Sequence, residues 1–153
     1  GYELYTKMVA EAVAAIKGTT IKEDLEEIII DIRVPSYIPN SYIREESVKF
    51  DAYKSISQVR NKDEEKEIIS EFEDRFGNIP KEVVNLIKVA QIRHLCRSLE
   101  IKKISENGNE ILIRYSKKGI RPIKMYRSEH SILDDLLMLL RDMNRLNEDE
   151  NDI

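Results

Sequence analysis

Cysteine is almost absent from this chain: Cys96 stands alone among 153 residues. One thiol cannot build a disulfide scaffold and cannot by itself make a zinc site. Proline and glycine are scarce as well, at four and five residues, which excludes a fibrous or low-complexity chain. No run approaches the roughly 18 apolar residues of a membrane span, and no charged-then-apolar signal segment opens the sequence. A soluble, cytoplasmic chain without membrane contact is the expectation. Its first residue is Gly1 rather than Met, which suggests a piece of a longer polypeptide.

Charge is what the chain has in quantity. Charged residues make up 35%, against roughly 25% in an average domain. Twenty-five Lys and Arg face 29 Asp and Glu, for a formal net charge of -4. Apolar residues still supply 41%. A chain of this length is about one domain and can bury about 68–70% of its unfolded surface, enough for a real core.

Helical spacing of Leu4, Met8, Val9, Ala12 and Ile16, with Gly18 as a stop, predicts a helix over 2–17. It suits either a connector docking on a neighbour or an ordinary packed helix. Ile28, Ile29, Ile30, Ile32 and Val34, closed by Pro35, predict a largely buried strand. Pro35 and Pro39 keep Ser36, Tyr37 and Ile38 out of the helical region. A helix over 42–60 is expected next, with Tyr42, Val48, Phe50, Tyr53, Ile56 and Val59 mostly inward.

Asn61 or Asp63 can cap a further helix, whose acidic first turn suits the positive end of the helix dipole. Ile68, Ile69, Phe72 and Phe76 are its apolar stripe, and Gly77 ends it. Pro80 opens a helix reaching about Leu99, with Val83, Leu86, Ile87, Ala90, Ile92, Leu95, Cys96 and Leu99 as a broad buried face. Strands over 101–105 and 110–115 flank Asn107-Gly108-Asn109, the composition of an antiparallel hairpin. A strand over 120–126 and a last amphipathic helix over 131–146 complete the reading. Leu133, Leu136, Leu137, Leu140 and Met143 line that helix. The predicted class is α+β: a small mostly antiparallel or mixed sheet with about five packed helices. The expected organisation is a connecting helix over 1–18, an α+β domain over 19–146 and an acidic frayed tail over 147–153.

No P-loop, no GxGxxG after a strand, no HExxH and no GxSxG elbow occurs. His94 and His130 lie on separate elements, so a metal site has no support. His94 reads as a boundary residue and Cys96 as a small core hydrophobe. Two residues apart on a helix, they do not face each other and make no dyad. Acidic pairs are abundant, but without a pocket signal they read as solvated helix faces rather than acid–base machinery. The chain is expected not to be an enzyme. From Arg97 to Arg127 nine basic residues (Arg97, Lys102, Lys103, Arg114, Lys117, Lys118, Arg121, Lys124, Arg127) stand against Glu100, Glu106 and Glu110. That region either touches phosphates, with Tyr115 and Tyr126 stacking on bases, or simply solvates the hairpin. The acidic segments beside it favour the second.

Three segments in fixed order carry a resemblance. Val34-Pro35-Ser36-Tyr37-Ile38-Pro39 runs on to Tyr42-Ile43. Tyr53-Lys54-Ser55-Ile56 follows, then Glu71-Phe72-Glu73-Asp74-Arg75-Phe76-Gly77-Asn78-Ile79-Pro80. The pattern resembles the C-terminal domain of the bacterial transcription-repair coupling factors, with its IPxxYI segment, LYKRI-like helix and E-x-x-DRFG-x-xP turn. Gly1-Tyr2-Glu3-Leu4-Tyr5 is similar to the helix that leaves the motor in that family. The likeness is good over 1–104, and the DRFGxxP element is its most specific part. Lys49-Phe50 stands where the family has Arg-Leu, Arg44 where it has an acid, and the segment after Tyr115 is short.

The resemblance implies a regulatory module, without its own ATPase site, of an ATP-driven DNA translocase that displaces stalled RNA polymerase and recruits excision repair. ATP and magnesium would belong to the parent motor and no cofactor to this segment. The module would pack on the N-terminal repair-protein-like module of the same polypeptide and cover the surface meant for the repair damage-recognition subunit, with weak or no direct DNA binding. Glu71, Asp74 and Arg75 are the residues carried over to that contact. At spacings of three and four they share one helix face, presenting two carboxylates and a guanidinium. The alternative is an accessory nucleic-acid-binding domain using the basic 97–127 region.

Overall fold

The computed structural model describes residues 27–129 and 131–151. The helix expected over 2–17 and His130 lie outside them. Among the described residues the order is β1 (Ile29–Asp31), α1 (Glu46–Ser57), α2 (Lys62–Phe76), α3 (Lys81–Ser98), β2 (Ile101–Asn107), β3 (Glu110–Tyr115), β4 (Ile123–Tyr126) and α4 (Ile132–Asn151). Four helices and a four-stranded mixed sheet make this α+β, as expected, with one helix fewer among these residues. The described residues divide into two compact units, one holding Val34–Ala90 and the other Glu27–Arg33 with the described residues from Gln91 onward.

The helical unit begins with a proline-directed turn. Tyr42 and Ile43 both donate their N–H groups to the Pro39 carbonyl, at 3.0 and 3.1 Å. They sit in this turn, so α1 starts at Glu46 and not at Tyr42 as expected. Asn61 caps α2: its side chain accepts the Glu64 N–H at 2.9 Å, satisfying one of the orphan donors of a helix start. Ile38, Ile43, Tyr53, Ile56, Ile68, Phe72, Val83 and Ile87 belong to one buried cluster. Burying each such side chain is worth about 1.5–3 kcal/mol. Phe50 is a correction: it is 37% exposed, with the Lys54 ammonium 4.8 Å from its ring centre. The inward stripe of α1 is instead Lys49, Ala52, Tyr53 and Ile56. Phe50 falls one residue, about 100°, away from it. The buried Lys49 ammonium donates to the Asn40 side-chain carbonyl.

In the sheet unit, strands lie in the order β1-β2-β3-β4. β1 pairs parallel with β2; the other two pairings are antiparallel. A parallel neighbour needs a long crossover, and here it is the entire helical unit. Ile30, Ile104, Ile113 and Ile123 stand side by side across the four strands. The first three are buried, as are Leu133, Leu136, Leu137 and Leu140 of α4. The expected hairpin is present. Gly108, with φ of 61°, and Asn109 join β2 to β3, and positive φ at the first loop position is what glycine supplies there. Two expectations change. The Ile28–Val34 run is not largely buried as its composition predicts: Ile29 is 45% exposed while Ile28, Ile30 and Ile32 are buried. An edge strand with one open face shows that period of two. The last helix also passes Leu146 and runs to Asn151.

Candidate interaction surface

The candidate site lies on the C-terminal end of α2. Its spacing directs Phe72 inward and Phe76 to the boundary, their rings edge-to-face with centroids 5.6 Å apart. The opposite side turns Glu71, Asp74 and Arg75 into solvent. Arg75 Nη1 lies 3.6 Å from Glu71 Oε1, and its guanidinium sits 4.7 Å from the centre of the Phe76 ring. Both partners of this ion pair are about half exposed, at 52% and 55%. Such a pair contributes only about 0.3–0.5 kcal/mol, so it exchanges readily for an external partner. Asp74 has no ion pair among the described residues. The three residues brought together by sequence spacing are therefore together on the surface.

What holds this helix end still is Tyr42, whose role sequence reasoning missed. Its hydroxyl donates toward two carbonyls, Gly77 at 3.0 Å and Phe72 at 3.2 Å. Its ring meets Phe76 edge-on at 5.8 Å. Burial first, and the Glu73 carboxylate second, raise the phenol above its ordinary pKa of 10.0, so it stays a donor. Gly77 closes the helix with φ of 90° and ψ of -168°, a region essentially restricted to glycine. The chain then turns back through Ile79, whose N–H reaches Glu73 Oε2 at 3.4 Å. An open hollow of about 650 Å³, lined by Asn40, Ser41, Tyr42, Arg44 and Glu46, adjoins the same tyrosine.

The other signature residues serve the fold. Tyr53 is 1% exposed, and its hydroxyl accepts the buried Ile38 N–H at 2.9 Å, tying the IPxxYI segment to α1. The Asn85 side chain donates to the Pro35 carbonyl at 3.0 Å. These contacts explain why the three segments occur together: each supplies a bond that another lacks.

Elsewhere the chemistry is sparse. Cys96 is fully buried, and burial pushes its thiol up to about 12. His94 is half-buried, in line with a boundary residue. Among the described residues no group of three or more His, Cys, Asp or Glu side chains could hold a metal ion, and no helix is long and apolar enough to cross a membrane. Among the described residues one cation of the basic region is committed. Arg127 Nη1 pairs with Glu106 Oε1 at 2.7 Å, and the other oxygen of that carboxylate accepts the Arg33 N–H at 2.9 Å.

Comparison with known proteins agrees with the fold and the motifs. The TRCF domain model matches residues 32–125. The transcription-repair-coupling factor of Bacillus subtilis (strain 168) is 35% identical over 119 residues, 78% of this chain and 10% of that protein. The factor of Borreliella burgdorferi is 34% identical over 125 residues, 82% of this chain and 11% of its own length. That of Helicobacter pylori is 32% identical over 143 residues, 92% and 14% respectively. The chain thus spans about a tenth of the curated relatives it matches. A crystal structure of the C-terminal domain of a transcription-repair coupling factor has the same fold, with a TM-score of 0.63 at 20% identity. The match covers 72% of this chain and 86% of that one. The chain belongs to the TRCF domain family, found in the transcription-repair coupling factors.

Proposed function

We propose that this chain is an autoinhibitory interaction domain of its parent polypeptide. It packs through Glu71, Asp74 and Arg75 on the N-terminal repair-protein-like module of the same chain. There it covers the surface that the excision-repair damage-recognition subunit would use. The parent is an ATP-dependent DNA translocase that removes stalled RNA polymerase; ATP and magnesium act there and not in this domain. The observation that carries the reading is the rigid end of α2. Tyr42 and Gly77 fix the backbone, leaving a weak, exchangeable Glu71–Arg75 pair and an Asp74 without an ion pair among the described residues facing solvent. A latch must also open, and exposed charged contacts are weak enough for a modest free-energy input to release them.

The experiment compares the parent protein with and without residues 1–153, reading ATPase rate, DNA binding and capture of the damage-recognition subunit. Removal raises all three if the domain is a lid. Lowered activities would instead make it a support for the motor and overturn the proposal.

A further inference from the structure

The sheet has a second face, opposite the row of Ile30, Ile104 and Ile113, and its charges are unbalanced. The β2–β3 register sets Lys103 directly across from Arg114. Like charges so placed repel, an arrangement the fold does not need. Lys124 of β4 pairs with Leu112, one step along the same face from Arg114. In the loop between β3 and β4, Lys117, Lys118 and Arg121 are all exposed. Among the described residues none of these six cations has an ion pair, and from Ile111 to Ser128 the sequence holds no acidic residue. Apolar groups are interleaved with them: Ile29, beside Lys103, is 45% exposed, Ile120 47% and Tyr126 67%.

We propose that this face binds an acidic polypeptide segment whose carboxylates alternate with apolar side chains. The charge calls for an anionic partner, and the exposed isoleucines and tyrosine call for one that also buries apolar surface. A nucleic-acid backbone fits less well. Asp31 and Glu110 stand on the same face and interrupt any continuous track of cations. Glu148, Asp149 and Glu150 of the same unit are exposed and add repulsion toward a polyanion. Discrete carboxylates on a peptide can pair with the cations and avoid the two acids. This surface shares no residue with the α2 site.

The test is fluorescence anisotropy of the whole chain with three labelled probes of equal length. They are a synthetic peptide alternating Glu with Leu and Phe, a polyglutamate peptide and a thymidine oligonucleotide. The mixed peptide binds best, with an affinity that falls as salt rises. Joint Arg114→Glu and Lys124→Glu substitution weakens it at least about tenfold, as expected for charges that meet partners across an interface. Neutralisation as Arg114→Gln with Lys124→Gln weakens it less and guards against a folding defect, checked by circular dichroism. Tyr126→Ala weakens the mixed peptide but not polyglutamate. Failure of the mixed peptide to bind, binding untouched by the reversals, or an oligonucleotide bound as tightly would each overturn the proposal.

Discussion

The Tyr42 hydroxyl lies 3.0 Å from the Gly77 carbonyl oxygen and so joins the turn after Pro39 to the end of α2, 35 residues later. This bond makes the exposed charges of α2 a fixed constellation and not a fraying helix end. Tyr42→Phe keeps the edge-to-face contact with Phe76 and removes the donor. The expected loss is about 1 kcal/mol of unfolding free energy, the usual net worth of one hydrogen bond. Urea denaturation of the two chains measures it.

Gly77 tests the same helix end from the backbone side. Among the described residues a Cβ there would meet nothing within 4 Å, so space is not the constraint. The conformation is, because φ of 90° with ψ of -168° is essentially closed to residues with a side chain. Gly77→Ala is expected to cost about 1–3 kcal/mol, read from the same urea midpoint. A neutral outcome would show that the α2 terminus relaxes freely.

Tyr53→Phe removes one oxygen from a fully buried ring. It strands the Ile38 N–H, whose 2.9 Å acceptor is that oxygen. An orphaned buried donor costs about 1–3 kcal/mol. The IPxxYI segment should then exchange its amide hydrogens faster than α3 does, as hydrogen exchange followed by NMR would show.

Cys96 gives a pH prediction. Its thiol is raised from 9.0 to about 12 by burial, with Arg93 opposing the shift. The folded state therefore favours the protonated thiol. That contribution is fully present below about pH 9 and is lost as pH rises from there toward about 12. Below pH 9 a thiol reagent should label Cys96 only as fast as the protein opens. Labelling at the rate of a free thiol would contradict its burial.

How much of this was legible beforehand follows from which interactions are local. The Ile68–Phe72–Phe76 stripe and the stop at Gly77 are short-range, and the spacing of residues announces them, as it narrows the cap of α2 to Asn61 or Asp63. Gly108 announced the hairpin for the same reason. The face shared by Glu71, Asp74 and Arg75 also follows from helical spacing, whereas their proposed role rests on the family resemblance. By contrast, β1 pairs with β2 across more than seventy residues, and Ile29 stands opposite Lys103. No local pattern encodes such a partner, so a β-branched run looked buried on both faces when one face is open. Phe50 misled because an apolar residue at the margin of a helical stripe can fall on either side of it. The Tyr42–Gly77 and Arg127–Glu106 bonds are tertiary, and nothing in the spacing of those residues anticipates them.

In the proposed function the charged end of α2 latches this domain onto its own polypeptide. The most direct measurement is binding of the excision-repair damage-recognition subunit to the parent protein before and after joint Glu71→Lys and Asp74→Lys substitution. Both side chains are exposed, so the fold should survive with surface-level changes of about 0.5 kcal/mol or less. A latch predicts that charge reversal strengthens binding part of the way toward that of the protein lacking residues 1–153. Unchanged binding, in a variant that melts like the wild type, would contradict it.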